Sequence, residues 1–140
     1  MIELVIVMTI VGLLAAVALP KYNNYKEASK IAIAIQDIRK IEEAINIYQM
    51  ENSQYPDTLA DIGQSGKLDP WGTPYQYYNI EKNGIGRALK DKALVPINTS
   101  FDLYSKGKDK RTTQQISRAF SKDDVILAND GHFLDLASKY

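Results

Sequence analysis

Two sets of residues in this chain of 140 could do chemistry. The first is a single carboxylate, Glu3, at the front of residues 4–19 (LVIVMTIVGLLAAVAL), a run of 16 without a charge. A carboxylate in hydrocarbon costs several kcal/mol unless it is neutralised or paired, and no basic residue precedes Lys21. Its partner must come from elsewhere, and an α-amino group at the end of a neighbouring copy is a suitable cation. Placement at interface depth near a helix N-terminus, where the macrodipole favours an anion, is the alternative. The second set is Asp109, Ser121, Asp123 and Asp124. These are hard oxygens of the kind Ca²⁺ gathers, six to eight at about 2.4 Å with backbone carbonyls filling the remainder. The same residues also suit a solvated polar loop, and no EF-hand pattern is present.

Other chemistries find no support. His132 stands without a second His or any Cys to share a zinc. Gly84-x-Gly86 is too short and lacks the strand-to-helix context of a phosphate loop, so it reads as a turn. Asn98-Thr-Ser100 meets the glycosylation sequon, as chance triplets do. The basic stretch from Lys106 to Arg111 reads as a solvated loop. The 17 basic and 17 acidic residues cancel, so nothing suggests the clustered positive excess of a nucleic-acid binder. No activated nucleophile and no pair of carboxylates in an apolar pocket appears, so the chain is not expected to be an enzyme.

The elements that position these residues follow from periodicity. The apolar run has no Lys or Arg before it, unlike a cleaved signal peptide. It is apolar on every face, and the remaining 120 or so residues are too few to wrap a helix of that kind. Membrane, or burial among copies of itself, is left. Beyond Pro20, Ile31, Ile35, Ile38, Ile41, Ile45 and Tyr48 recur at three- and four-residue steps, which predicts an amphipathic helix ending at residues 50–53. Pro20 forfeits a backbone hydrogen bond and predicts a kink or a melted turn. Residues 1–51 then form a stem of about 75 Å, its first half protruding and its second half packed on a domain. Three heptads with Ala at inward positions are short for a coiled coil, so that face is expected to pack on the chain's own sheet.

After the stem, residues 57–63 read as a short capped helix or turn, with Asp57 or Thr58 as N-cap. Residues 69–79 (DPWGTPYQYYN) open with turn chemistry and enter a strand through Tyr75, Tyr77 and Tyr78. A second strand is expected at residues 100–105, and an excursion with a hairpin or extra strand at 93–97 lies between. The expected organisation is an apolar membrane or filament-core segment (1–20), an amphipathic helix (21–53), and a small β-sheet domain with a C-terminal loop (54–140). The fold class is α+β, a long helix against a small antiparallel sheet.

Met-Ile-Glu-Leu, the apolar run and then Leu-Pro-Lys-Tyr resemble the N-terminus of type IV pilins and type II secretion pseudopilins. The Asp69-Pro-Trp-Gly-Thr-Pro-Tyr segment is similar to the one that opens the sheet in major pseudopilins. That resemblance implies a pilin-like fold and a mature subunit, cut by a prepilin peptidase and methylated, whose first two residues are missing from this chain. It also implies a calcium held by the side chains of Asp109, Asp123, Asp124 and Ser121 and the carbonyl of Lys106. Here the gap between Asp109 and Ser121 is longer than in the family, and Lys108, Lys110 and Arg111 add positive charge.

The function so implied is a structural subunit of a helical secretion pseudopilus. Subunits wait in the bacterial inner membrane on their apolar heads, then bundle into a periplasmic filament with Glu3 setting register. The partners are other copies, minor pseudopilins, the peptidase and the assembly platform. A surface type IV pilus, extracellular and used for adhesion or motility, is the alternative within this class. A membrane-tethered periplasmic binding module is the alternative outside it.

Overall fold

The computed structural model describes residues 1–140, which divide into two compact units, Met1–Lys30 and Ile31–Tyr140. Helix α1 spans Ile2–Asn52. It is unbroken at Pro20, so the melted turn does not occur; the bond forfeited to the carbonyl of Ala16 leaves the flanking bonds to carry the helix. In the first unit every side chain from Met1 to Lys26 is exposed, as expected of an apolar helix apart from membrane or partners. Thr9, its most polar interior residue, returns its hydroxyl to the carbonyl of Val5 at 2.7 Å. That bond leaves no donor facing outward.

The second unit builds a four-stranded antiparallel meander in the order β1-β2-β3-β4: Gln76–Asn79, Phe101–Ser105, Val125–Ala128 and Phe133–Leu136. The register pairs Tyr77 with Leu103, Ser105 with Val125, and Leu127 with Leu134. The first two strands lie where the aromatic and alternating patterns put them. The last two correct the expectation of a C-terminal loop. Residues 129–131 (Asn-Asp-Gly) sit at φ of 53, 52 and 94°, the positive values a tight hairpin turn demands, and they join β3 to β4.

Helix α1 supplies Ala34, Ile38, Ile41 and Ile45 to the core against Leu103, Val125 and Leu127. The amphipathic face therefore packs on the chain's own sheet and is not a coiled-coil seam. Burying each Ile contributes about 2–3 kcal/mol. Pleating sends Ile126 and Ala128 to the opposite face, where Leu89, Ile97 and Ile116 cover them. Strand β3 is thus buried on both sides, which explains its unbroken apolar sequence.

Between β1 and β2 lie a short helix, α2 (Ile80–Asn83), and a single bridge between Lys90 and Pro96; no strand forms at 93–97. This excursion is pinned by a buried carboxylate. Asp102, 1% exposed, accepts from the backbone N–H of Leu89 at 2.6 Å and from the Asn98 amide at 2.9 Å. Asn98, 3% exposed, also donates to the carbonyl of Leu127, so its side chain is no glycosylation acceptor. Residues 59–62 form a 3₁₀ turn after Thr58, whose N–H donates to the Asp61 carboxylate at 2.8 Å. On the helix, the guanidinium of Arg39 reaches the carbonyl of Gly131 at 3.0 Å. A Cβ on Gly131 would crowd the Glu42 carboxylate.

Candidate functional site

Glu3 occupies the first turn of α1, where its charge complements the helix dipole. The stretch behind it is long and apolar enough to cross a membrane, and none of that window is buried by the rest of the chain. No basic group among residues 1–140 pairs with the carboxylate.

The loop between β2 and β3 gathers the other predicted residues. Its start is set by the Asp-Pro-Trp-Gly segment. Asp69 accepts at one oxygen from the N–H groups of Trp71 and Thr73, at 3.0 and 2.9 Å, closing the turn. Its other oxygen accepts from the Ser105 hydroxyl, which itself accepts from the N–H of Gly107 at 3.1 Å. Gly107 adopts φ of 62°, and any Cβ there would run into the backbone carbonyl of Asp123. That contact brings the two ends of the loop together, just after Lys106.

Asp123 and Asp109 spend oxygens on the loop's own backbone. Asp123 Oδ2 accepts from the Asp109 N–H at 2.8 Å, and Asp109 Oδ1 accepts from the Arg111 N–H at 2.7 Å. Asp124 is fully buried; its Oδ2 takes the Thr112 hydroxyl at 2.6 Å, while its Oδ1 has no hydrogen-bond partner. Ser121 Oγ accepts from the Thr113 N–H at 2.8 Å. Burial pushes the Asp124 carboxyl from an ordinary 3.8 up to about 7; the Thr112 bond opposes this, and the charges of Asp123 and Asp109 add to it.

An orphaned, buried carboxylate oxygen beside two more carboxylates and two hydroxyls is donor chemistry that fits a hard divalent cation. No three acidic or imidazole side chains converge on one point, however. A cation here would rely on Asp124, hydroxyls and carbonyls, with Asp109 and Asp123 contributing their remaining oxygens. The charge opposing it is partly drawn away, since the Arg111 guanidinium lies 3.6 Å over the Phe120 ring. Thr112 and Thr113, absent from the sequence-based set, are the residues that fill the long gap before Ser121. A hydroxyl pair eight and nine residues ahead of Ser121 was the signal for them. His132 is an exposed turn residue, its Nδ1 2.7 Å from the carbonyl of Asn129.

A long helix with an unburied apolar head bearing one acid, followed by a small antiparallel meander, defines a pilin-like subunit. No family model matches the chain, and no solved structure matches it with significance. Among curated proteins it is 30% identical to type II secretion system core protein G of Pseudomonas aeruginosa, over 78% of this chain and 81% of that protein. It is 25% identical to the core protein G of Escherichia coli, over 79% and 91%. A fimbrial protein of Neisseria meningitidis is 28% identical over 99% and 82%. The chain belongs to the pilin and pseudopilin superfamily and, within it, to the family of type II secretion system core protein G. It is a structural subunit rather than an enzyme.

Proposed function

We propose that this chain is the repeating subunit of a type II secretion pseudopilus, assembled from the bacterial inner membrane through its apolar head. The observation that carries the reading is Glu3, a charge without a partner at the start of an unburied apolar helix. Moving that helix from lipid to a bundle of its copies changes little hydrophobic free energy, so packing and polar pairing must give direction. An unpaired carboxylate is costly there and a paired one fixes axial stagger, which makes Glu3 a check on register. The pairing cation is the α-amine of a neighbouring copy.

On this reading the terminus is methylated, the prepilin peptidase, the minor pseudopilins and the assembly platform are the partners, and the filament lies in the periplasm. The fimbrial relative, aligned over 99% of the chain, supports a surface pilus as the second reading. Calcium at the loop of Lys106, Asp109, Ser121, Asp123 and Asp124 belongs to the proposal as the ion that neutralises the buried carboxylate. Glu3→Val tests the core of it. The variant is expected to insert in the membrane at wild-type level and to yield no filaments by electron microscopy. Normal filaments from Glu3→Val would overturn the role given to Glu3.

A further inference from the structure

The chain's zero net charge is sorted into two opposed blocks. Residues 41–61 hold five acidic residues and no basic one, a net of −5. Residues 106–122 hold Lys106, Lys108, Lys110, Arg111, Arg118 and Lys122 against Asp109 alone, a net of +5. Each block also carries exposed apolar surface. On α1, Ile47 lies four residues after Glu43, and Met50 and Glu51 lie three and four residues after Ile47, so the four share one stripe. In it Ile47 is 50% and Met50 80% exposed. Neither Glu43 nor Glu51 is in a salt bridge; the acids of this block that are paired are Glu42 with Arg39 and Asp57 with Lys82.

On the loop, Phe120 is 43% exposed and lines a recess of about 460 Å³ with Thr113, Gln115, Arg118 and Ala119. Arg111 stacks on Phe120, and Arg118 Nε is held at 2.9 Å by the Gln115 side-chain oxygen. None of the six cations of this block is in a salt bridge, and none pairs with the acidic block of its own chain. Two apolar side chains between two acids on one surface match an aromatic recess between two guanidinium groups on the other. Both surfaces belong to the same unit of the chain.

We infer that the recess around Phe120 on one subunit receives the Glu43–Ile47–Met50–Glu51 stripe of a second copy. The occupant is a second copy because the complement in charge and in apolar character is already present on this chain. The contact joins unlike surfaces, so it does not close into a two-fold dimer; repeated, it generates a ring or an open helical array, and the filament reading selects the helix. It deepens the filament reading and rests on it, adding a lateral contact between globular units to the bundling of apolar heads. Exposed complementary charge of this kind acts through encounter rate and register and weakens with salt.

The test is a charge exchange in the full chain, purified in detergent and polymerised by detergent removal, with filaments measured by sedimentation and electron microscopy. Arg118→Glu alone and Glu43→Lys alone are each expected to raise the concentration needed for filaments about tenfold, equivalent to about 1.4 kcal/mol. The double variant is expected to recover wild-type assembly, because the reversed charges attract. Thermal melts of all three should match the wild type, since both side chains are exposed. Single variants that polymerise like the wild type overturn the interface and leave the filament reading standing. So does impairment by Arg118→Glu while Glu43→Lys polymerises like the wild type, which assigns the basic loop to another partner such as anionic lipid. A wild-type chain that never sediments removes the filament reading and the interface together.

Discussion

Asp102→Asn separates two effects that act on one buried carboxylate. Burial raises the Asp102 carboxyl from 3.8 to about 6, while the bonds from the Leu89 N–H and the Asn98 amide pull it back down. A folded-state pKa above the unfolded one means that the folded protein holds its proton longer. The resulting stabilisation is therefore complete below about pH 4 and is lost as pH rises through 6. At 1.36 kcal/mol per pH unit, the interval from 3.8 to about 6 is worth about 3 kcal/mol. Asparagine keeps the shape but cannot ionise, so it carries none of this slope. It also sets an NH₂ group against one of the two donors, a loss of about 1–3 kcal/mol. The variant is thus expected to be less stable than wild type by that amount at pH 4 and to draw level with or overtake it by pH 7. Urea denaturation of the full chain in detergent, followed by circular dichroism from pH 4 to 7.5, measures the difference directly. A gap that stays constant across that range refutes the reasoning. So does a gap that widens with pH, which would show a carboxylate better solvated by its two donors than by water.

Two further outcomes concern the β2–β3 loop. Chelator is expected to lower the melting temperature at pH 7.5 by several degrees and millimolar Ca²⁺ to restore it, since binding at about 100 times Kd adds about 2.7 kcal/mol. Asp124→Asn should abolish that response, and an unresponsive wild type would show the buried carboxylate satisfied by a proton instead. Gly107→Ala combines a left-handed backbone with a collision at the Asp123 carbonyl, so a loss of about 2–3 kcal/mol in thermal or urea unfolding is expected. A neutral substitution would mean that the loop ends are free to part.

Much of this architecture was legible because it rests on short-range signals. The helix face was visible in the spacing of Ile38, Ile41 and Ile45, and β1 and β2 in the aromatic and alternating residues of their segments. The last hairpin was not, although Val125 to Ala128 and the Asn-Asp-Gly turn carried it. The polar stretch that runs up to Asp123 and Asp124 hides where the strand begins. A strand buried on both faces also shows no alternation. In the candidate site, the type of donor was readable from Asp109, Asp123 and Asp124, but their division of labour was not. Whether an aspartate binds an ion or caps a backbone N–H depends on loop conformation, and here Asp123 and Asp109 both cap. The link from Asp69 to Ser105 and Gly107 spans 36 residues, so no local pattern could announce it.

The bond from Arg39 to the carbonyl of Gly131 joins the helix to a turn 92 positions later. A chain leaving the ribosome presents its apolar head long before residue 131 exists. The Ile-lined face of α1, which packs on Val125 and Leu127, therefore stays uncovered until the final hairpin arrives. A truncated subunit would keep that face open, so the closing turn distinguishes a completed core from an abandoned one.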